Sequence, residues 1–456
     1  MMGSVSLTIL DTIRSFFGDF LNTDIEFDLN LDFLHEGFAQ LQEAIPQLTI
    51  GSESIASAQV ILLAAGITIF LGVAGEAFFK KTGIPDIAFL LILGVIIGPV
   101  LGIIQPDAVI QIVPYFAAVA LIIIMFDGGI NLDIRNVIKT AHFALLLTIL
   151  GFVVSVTIVT LIAFYGLEWR LLDSILLGSI VGGSSSIIVF GLVRNVHISD
   201  ETKSMLSLES AMTDVLAIIA AFILFDLVIT GYSDPNLVLQ TFGKAVATGL
   251  ILGLGVGIPW MYVITKLGNV QHAYMLTLGM LFVLFFLANS FGESGALTAL
   301  VFGLMLGNRN RLARYLRLKL PTIEMDDKMH NQLTFLVRSF FFVFIGLLAS
   351  LGQIEYLIFG IIAALIIYLA RIGVVKISLT KRFSLLDKKV TSAMIPRGLA
   401  AAVLATIPLT LGLPNAEAYP QIVFVIILSS VIITTVGMGK ARKIEAIPTD
   451  QTDENP

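Results

Sequence analysis

Two carboxylates, Glu209 and Asp214, lie inside one apolar stretch long enough to cross a bilayer. The stretch runs Ser204–Asp226, SMLSLESAMTDVLAIIAAFILFD. An ionised side chain at mid-membrane costs at least ~2.5–3.5 kcal/mol, so it is kept where it is paired or functional. For a helix starting near Lys203, a rise of ~1.5 Å per residue puts Asp214 roughly 16 Å deep and Glu209 about 9 Å deep. The two side chains then point about 140° apart, so one site cannot use both in the same way. Ser210 shares a face with Asp214, and Thr213 shares one with Glu209. These spacings assign Asp214 to a wet cavity and Glu209 to a buried cation on another helix. The alternative is that both are merely paired for structure.

A buried guanidinium for Glu209 is present in the chain. Arg371 sits in IIYLARIGVV, deep in a later apolar run. Arginine cannot shed its proton, so it needs a carboxylate, and Glu209 is the best match. Arg397 lies in PRG, nearer the cytoplasmic side. Arg338 lies just inside its run, where snorkelling is expected. Glu76, Asp127 and Asp226 fall at the ends of runs, where charge is cheap.

Two further stretches could supply neutral oxygen ligands. VGGSSSIIVF (Val181–Phe190) puts two glycines and the hydroxyls of Ser184, Ser185 and Ser186 at mid-membrane. Interrupted helices there free backbone carbonyls for cations, although a small-residue packing seam fits the same pattern. The second is TSAMIPRGLAAAVLATIPLTLGLP, where Pro408 is expected to break the helix near Leu404. Two interrupted helices in matching halves point to inverted repeats with a site between them.

The elements that carry these residues follow from hydropathy. Of 456 residues, 57% are hydrophobic and 13% charged, against about 25% charged in soluble domains. The fold class is an all-α polytopic membrane protein in the cell membrane. Thirteen spans are expected, at about 57–79, 85–104, 108–127, 137–165, 171–194, 203–231, 236–265, 271–290, 293–307, 332–351, 355–378, 391–411 and 420–438. Gly249, Gly253 and Gly257 form a small-residue ridge expected to pack closely on a neighbour. Most of the 27 Lys and Arg fall in alternate connections. This places the C-terminus and the short tail, 441–456, in the cytoplasm and the acidic segment 1–55 outside. Within that segment Leu7–Leu21 has the periodicity of a surface helix. The basic loop 308–331 fits anchoring at the anionic inner leaflet.

Composition also excludes functions. There is no cysteine, hence no disulfide, thiol nucleophile or thiolate metal site. The five histidines, His35, His142, His197, His272 and His330, lack metal-ligand spacing. A net charge of −6 and the lack of a basic tract argue against nucleic acid. No phosphate-binding GxxxxGK[ST] loop occurs, no enzyme constellation is legible, and no cofactor is expected. The remaining class is a secondary transporter. A channel would want an open pore with a repeated filter, which is not seen.

The motifs together resemble one family. SLESAMTDVLAI resembles the ES-x-x-ND region of the monovalent cation:proton antiporter superfamily. GESGALTALVFGLMLGN (Gly292–Asn308), FFFVFIGLL, YLARIGVV and PRGLAAAVLATIPLTLGLP are similar to its later helices. The likeness covers about 57–440. GGSSS looks like the Kef-type branch, whereas Glu209 and the PRG stretch look like the sodium/proton exchangers. Two departures stand out: Thr213 replaces the family's Asn, and Ser184-Ser185 replace Thr-Asp or Asp-Pro. The resemblance implies Asp214 as carrier of Na+ or K+ and of protons, and Thr213 and Ser185 as hydroxyl ligands. It implies the Glu209–Arg371 pair and a homodimer. It also implies a moving core domain (about 137–231 and 355–438) beside a dimer domain (about 57–127 and 271–351) within 56–440. The expected reaction is electroneutral one-to-one exchange.

Overall fold

The computed structural model describes residues 53–445 apart from 83–84, 103, 105–112, 132–133, 194–195, 231–234, 267–272, 292–293, 316–326, 350–352 and 380–382. Among the described residues all regular structure is helical. The first part comprises α1 (Glu53–Thr82), α2 (Asp86–Val95, prolonged by a π-helical turn Ile96–Val100), α3 (Val113–Asn131) and α4 (Ile134–Gly166). Next come α5 (Leu171–Ile180), α6 (Ser186–Val193), α7 (Asp200–Thr230), α8 (Pro235–Lys266), α9 (Ala273–Ser290) and α10 (Gly295–Gly307). The last are α11 (Arg309–Tyr315), α12 (Asp327–Leu347), α13 (Ile354–Ser378), α14 (Leu385–Ala393), α15 (Leu399–Leu411) and α16 (Ala418–Glu445). Leu7–Leu21, Glu293 and most of the 441–456 tail lie outside the described residues.

Among the described residues eight helices are long and apolar enough to cross a membrane, and five apolar helices are shorter. Large apolar side chains such as Phe70, Ile251, Phe286 and Leu369 stand exposed on them. In a bilayer that exposure costs nothing, because lipid tails are as apolar as leucine, and the backbone polar groups are satisfied within each helix. The split between α9 and α10 follows the Gly-rich junction, and Ser294 caps α10 by accepting from the Leu297 amide.

Two spans are broken. The first breaks at 181–185, between α5 and α6, where Gly182 and Gly183 sit. The second breaks at 394–398, between α14 and α15. The second span is interrupted as expected, but it opens at 394–398 rather than at Pro408, and α15 runs straight through that proline. Pro408 lies in the last turns of the helix, where few bonds depend on it. Pro396 and Gly398 supply the stop instead, because a residue before proline avoids the α region. α15 itself ends at Gly412, in the left-handed region with φ 63°.

Packing then fixes who faces whom. α7 packs on α4, α5 and α15, and α13 packs on α4 and α16. α10 is clasped between α3 and α8. The predicted ridge Gly249, Gly253 and Gly257 of α8 meets Leu297, Val301 and Met305 of α10. On the other side Gly129 of α3 and Gly303 of α10 bring the two backbones together, with no room for a Cβ at either. α2 packs on α12 in the same manner. There Arg338 does not snorkel: its Nη2 lies 2.7 Å from Asp86 Oδ2, and both side chains are largely buried. Arg338 faces α2 rather than a water interface, so pairing is its route to a satisfied charge.

A latch closes the α14 end. Asp387 in the first turn of α14 accepts from the amide and hydroxyl of Ser199 at 3.0 and 3.1 Å, and from those of Ser384 at 3.1 and 2.7 Å. Burial alone would push its carboxyl up, but the bonds from Ser384 and Ser199 outweigh that and hold it below the usual range. A carboxylate depressed in the folded state contributes stability above its unfolded value, near ~3.9, and loses it as pH falls below that. Asp387→Asn should therefore lower stability at pH 7 by roughly 1–3 kcal/mol, the cost of buried donors left unmatched. Thermal unfolding in detergent should show the gap between the two proteins closing below about pH 4.

Candidate functional site

The two breaks meet. The Ser185 amide donates to the Pro396 carbonyl at 2.7 Å. A Cβ on Gly398 would collide with the Ser185 side chain, so this approach requires glycine there. Arg397 ties the crossing together through both terminal nitrogens of its guanidinium. Its Nη1 donates to the Gly182 carbonyl at 3.0 Å and also to the Gly183 carbonyl; its Nη2 donates to Ser155 at 3.0 Å. Its amide donates to the Ser430 hydroxyl. Arg397 thus caps the carbonyl end of α5, where a cation offsets the helix dipole. It is 3% exposed.

Glu209 and Arg371 meet as expected. Arg371 Nη2 lies 2.7 Å from Glu209 Oε2, and Nη1 bonds Oε1 to complete a fork. Arg371 Nε donates to the Thr391 carbonyl at 3.3 Å. Both side chains are almost fully buried. Glu209 therefore has its charge matched in place.

Asp214 is treated differently. It is half-buried and lines a cavity with Ser185, Ser186 and Asp127. Its Oδ2 accepts from the Ser186 hydroxyl at 3.1 Å and the Ser186 amide at 3.5 Å. No basic side chain bonds it among the described residues. Ser186, a minor candidate from sequence, is thus its direct partner, placed there by the first turn of α6.

The other sequence candidates divide between two cavities. Thr213 and Ser184 line a second cavity, beside Glu209, Arg371 and Arg397. The Thr213 hydroxyl accepts from the Ser184 amide at 3.0 Å and donates to the Ser210 carbonyl at 3.1 Å. It fastens the broken segment to α7. The Ser210 hydroxyl donates to the Ser207 carbonyl of its own helix. The structure therefore brings Asp214, Ser185 and Ser186 together and sets Thr213, Ser184 and Ser210 apart from them.

Asp127 was missed as a site residue. It lies at the end of its run in sequence, yet it faces the Asp214 cavity. His330 Nε2 lies 2.7 Å from Asp127 Oδ1, and Tyr274 Oη lies 3.0 Å from His330 Nδ1. The partners are 203 and 56 residues apart in sequence, so no local pattern could reveal them. The only local signal is a carboxylate followed by two glycines, of which the second, Gly129, lets α3 and α10 close together.

Known proteins resemble the chain in sequence and in fold. Residues 66–438 match the family described as sodium/hydrogen exchanger, transmembrane. The K(+)/H(+) antiporter NhaP of Alkalimonas amylolytica is 26% identical over 381 residues, 81% of this chain and 64% of that protein. The Na(+)/H(+) antiporter 1 of Methanocaldococcus jannaschii is 28% identical over 379 residues, 78% of this chain and 84% of that protein. The solved structure of the sodium proton antiporter MjNhaP1 from that organism at pH 8 matches with a TM-score of 0.68 and 24% identity, over 84% of this chain and 97% of that one. The chain spans 64% of the length of the K(+)/H(+) antiporter relatives. With a match that runs through both broken spans and α7, the chain belongs to the transmembrane sodium/hydrogen exchanger family.

Proposed function

We propose that the protein is a secondary transporter that exchanges a monovalent cation for protons by alternating access around Asp214. The observation that carries this reading is the contrast on α7. Glu209 is matched by Arg371, whereas Asp214 faces a cavity with only Ser186 as hydrogen-bond donor. A bare carboxylate is disfavoured where water is scarce, so a proton and a dehydrated cation compete for it. Either one neutralises the site and lets it pass the hydrophobic barrier. Ser185 and Ser186 are the neutral oxygens nearest to this exchange, and Asp127 adds negative charge on the opposite wall.

Thirteen spans cross the cell membrane in this reading, with 1–55 outside and the C-terminus in the cytoplasm. The chain works as a homodimer, with a core domain moving against a dimer domain, and needs no cofactor. Both Na+ and K+ are eligible cargo, since the relatives include antiporters named for each. Na+ is favoured by Glu209 and the PRG segment, and K+ by the serines at the first break. Imposed Na+ or K+ gradients across proteoliposomes, read with a pH-sensitive dye, test the reading directly. Absence of proton flux with either ion overturns it.

Stoichiometry should be one to one, because Asp214 is the single acid of the crossing without a basic partner. Transport should then neither generate nor respond to a membrane potential. A clamped 100 mV would bias one net charge by about 2.3 kcal/mol, so the measurement is sensitive. A valinomycin-sensitive potential during exchange would mean that a second acid also titrates.

A further inference from the structure

The chain Tyr274–His330–Asp127 joins three helices, α9, α12 and α3, at the wall of the Asp214 cavity. Its polarity follows from what each group can do. A carboxylate only accepts, so His330 Nε2 carries the hydrogen of the 2.7 Å contact to Asp127. On a neutral ring Nδ1 is then an acceptor, and the Tyr274 hydroxyl at 3.0 Å is its donor. The ring is also flanked by Phe126 and Tyr274 in T-shaped contacts at 6.0 and 5.8 Å between centroids. Tyr274 thus selects the tautomer and His330 delivers the hydrogen.

The receiving end is asymmetric. Asp127 Oδ1 accepts from His330 and also from Asn131 Nδ2 at 3.0 Å. No donor among the described residues bonds Oδ2. One oxygen is anchored and the other is left for the cavity that Asp214 shares. One turn further along α12, Thr334 lines the same cavity with a buried hydroxyl that has no hydrogen-bond partner. α12 therefore turns a polar edge towards the cavity.

We propose that Tyr274 and His330 are positioning residues for cation exchange: they hold the Asp127 carboxylate so that its free oxygen raises cation occupancy of the Asp214 cavity. The proposal rests on the exchange reading above. Its prediction is a change in cation affinity rather than in turnover, since an interaction made equally before and during translocation moves KM alone.

The test is cation-dependent proton flux in proteoliposomes, with KM and maximal rate measured for His330→Leu, His330→Gln, Tyr274→Phe, Asp127→Asn and the double variant His330→Leu with Asp127→Asn. His330→Leu should raise the apparent KM roughly five- to tenfold, as for a lost charge-assisted hydrogen bond, with the maximal rate nearly unchanged. His330→Gln, whose amide can donate to Asp127 and accept from Tyr274, should recover most of the affinity. Tyr274→Phe should give a smaller rise, and it removes a single oxygen, so it decides the matter if His330→Leu does not fold. In the double variant the histidine change should add nothing to Asp127→Asn. Unchanged KM in Tyr274→Phe and His330→Leu, or additive effects in the double variant, overturns the proposal. Activity surviving in Asp214→Asn would instead overturn the exchange reading itself, so the two failures are separable.

Discussion

Asp214→Asn should reduce cation-driven proton flux to that of protein-free liposomes while the purified protein keeps its fold. The substitution is close to isosteric, and the Asn carbonyl can still accept from Ser186, whose hydroxyl lies 3.1 Å from Oδ2. What is lost is the ability to alternate between a charged and a neutral state. The variant resembles the proton-loaded carboxyl and cannot unload it. Glu209 cannot take over, because it is locked in a fork with Arg371. Cation binding should vanish together with flux, since no charge remains at that point of α7. Residual saturable exchange in the variant would remove Asp214 from the carrier role.

The second large effect concerns stability. Glu209→Gln or Arg371→Met alone should destabilise by roughly 3–5 kcal/mol, because each leaves an uncompensated buried charge. The double substitution should be markedly milder than the sum. Coupling between touching charges is typically about 0.5–3 kcal/mol, and here both partners are over 90% buried. Thermal unfolding of the four proteins in one detergent closes the cycle. Additive losses would mean that the fork contributes no coupling. The Arg371 bond to the Thr391 carbonyl sets a floor, since that contact is lost in either arginine variant.

Charges inside apolar runs were the legible part of the site. Glu209, Asp214 and Arg371 announce themselves because hydrocarbon tolerates few ions, and their pairing follows from elimination. The first break was legible because glycines and serines interrupt a run of valine and isoleucine. The second was misplaced. Proline weight drew attention to Pro408, but a helix end tolerates proline, and the chain stops where Pro396 and Gly398 coincide. Arg397 gave no sign in the sequence of its contacts with the Gly182 and Gly183 carbonyls, more than 200 residues away. Thr213 shows another limit. Its identity suggested a ligand, yet helix phase turns its hydroxyl onto the broken backbone at Ser184. Asp127, His330 and Tyr274 were out of reach for sequence, since three helices distant in the chain must first assemble.

The clasp around α10 bears on how the protein is made. At 13 residues the helix spans about 20 Å, well short of a ~30 Å hydrocarbon layer. Left alone it could not hold its ends at both interfaces. Its two flanking surfaces, the glycines of α8 and the backbone of α3, both precede it in the chain. The groove is therefore synthesised before its occupant. α10 enters the membrane as a templated insertion, with partner helices rather than its own length supplying the retention. Ribosome-bound chains truncated just after α10 should already resist alkaline extraction of that segment, whereas the same segment placed behind unrelated helices should not.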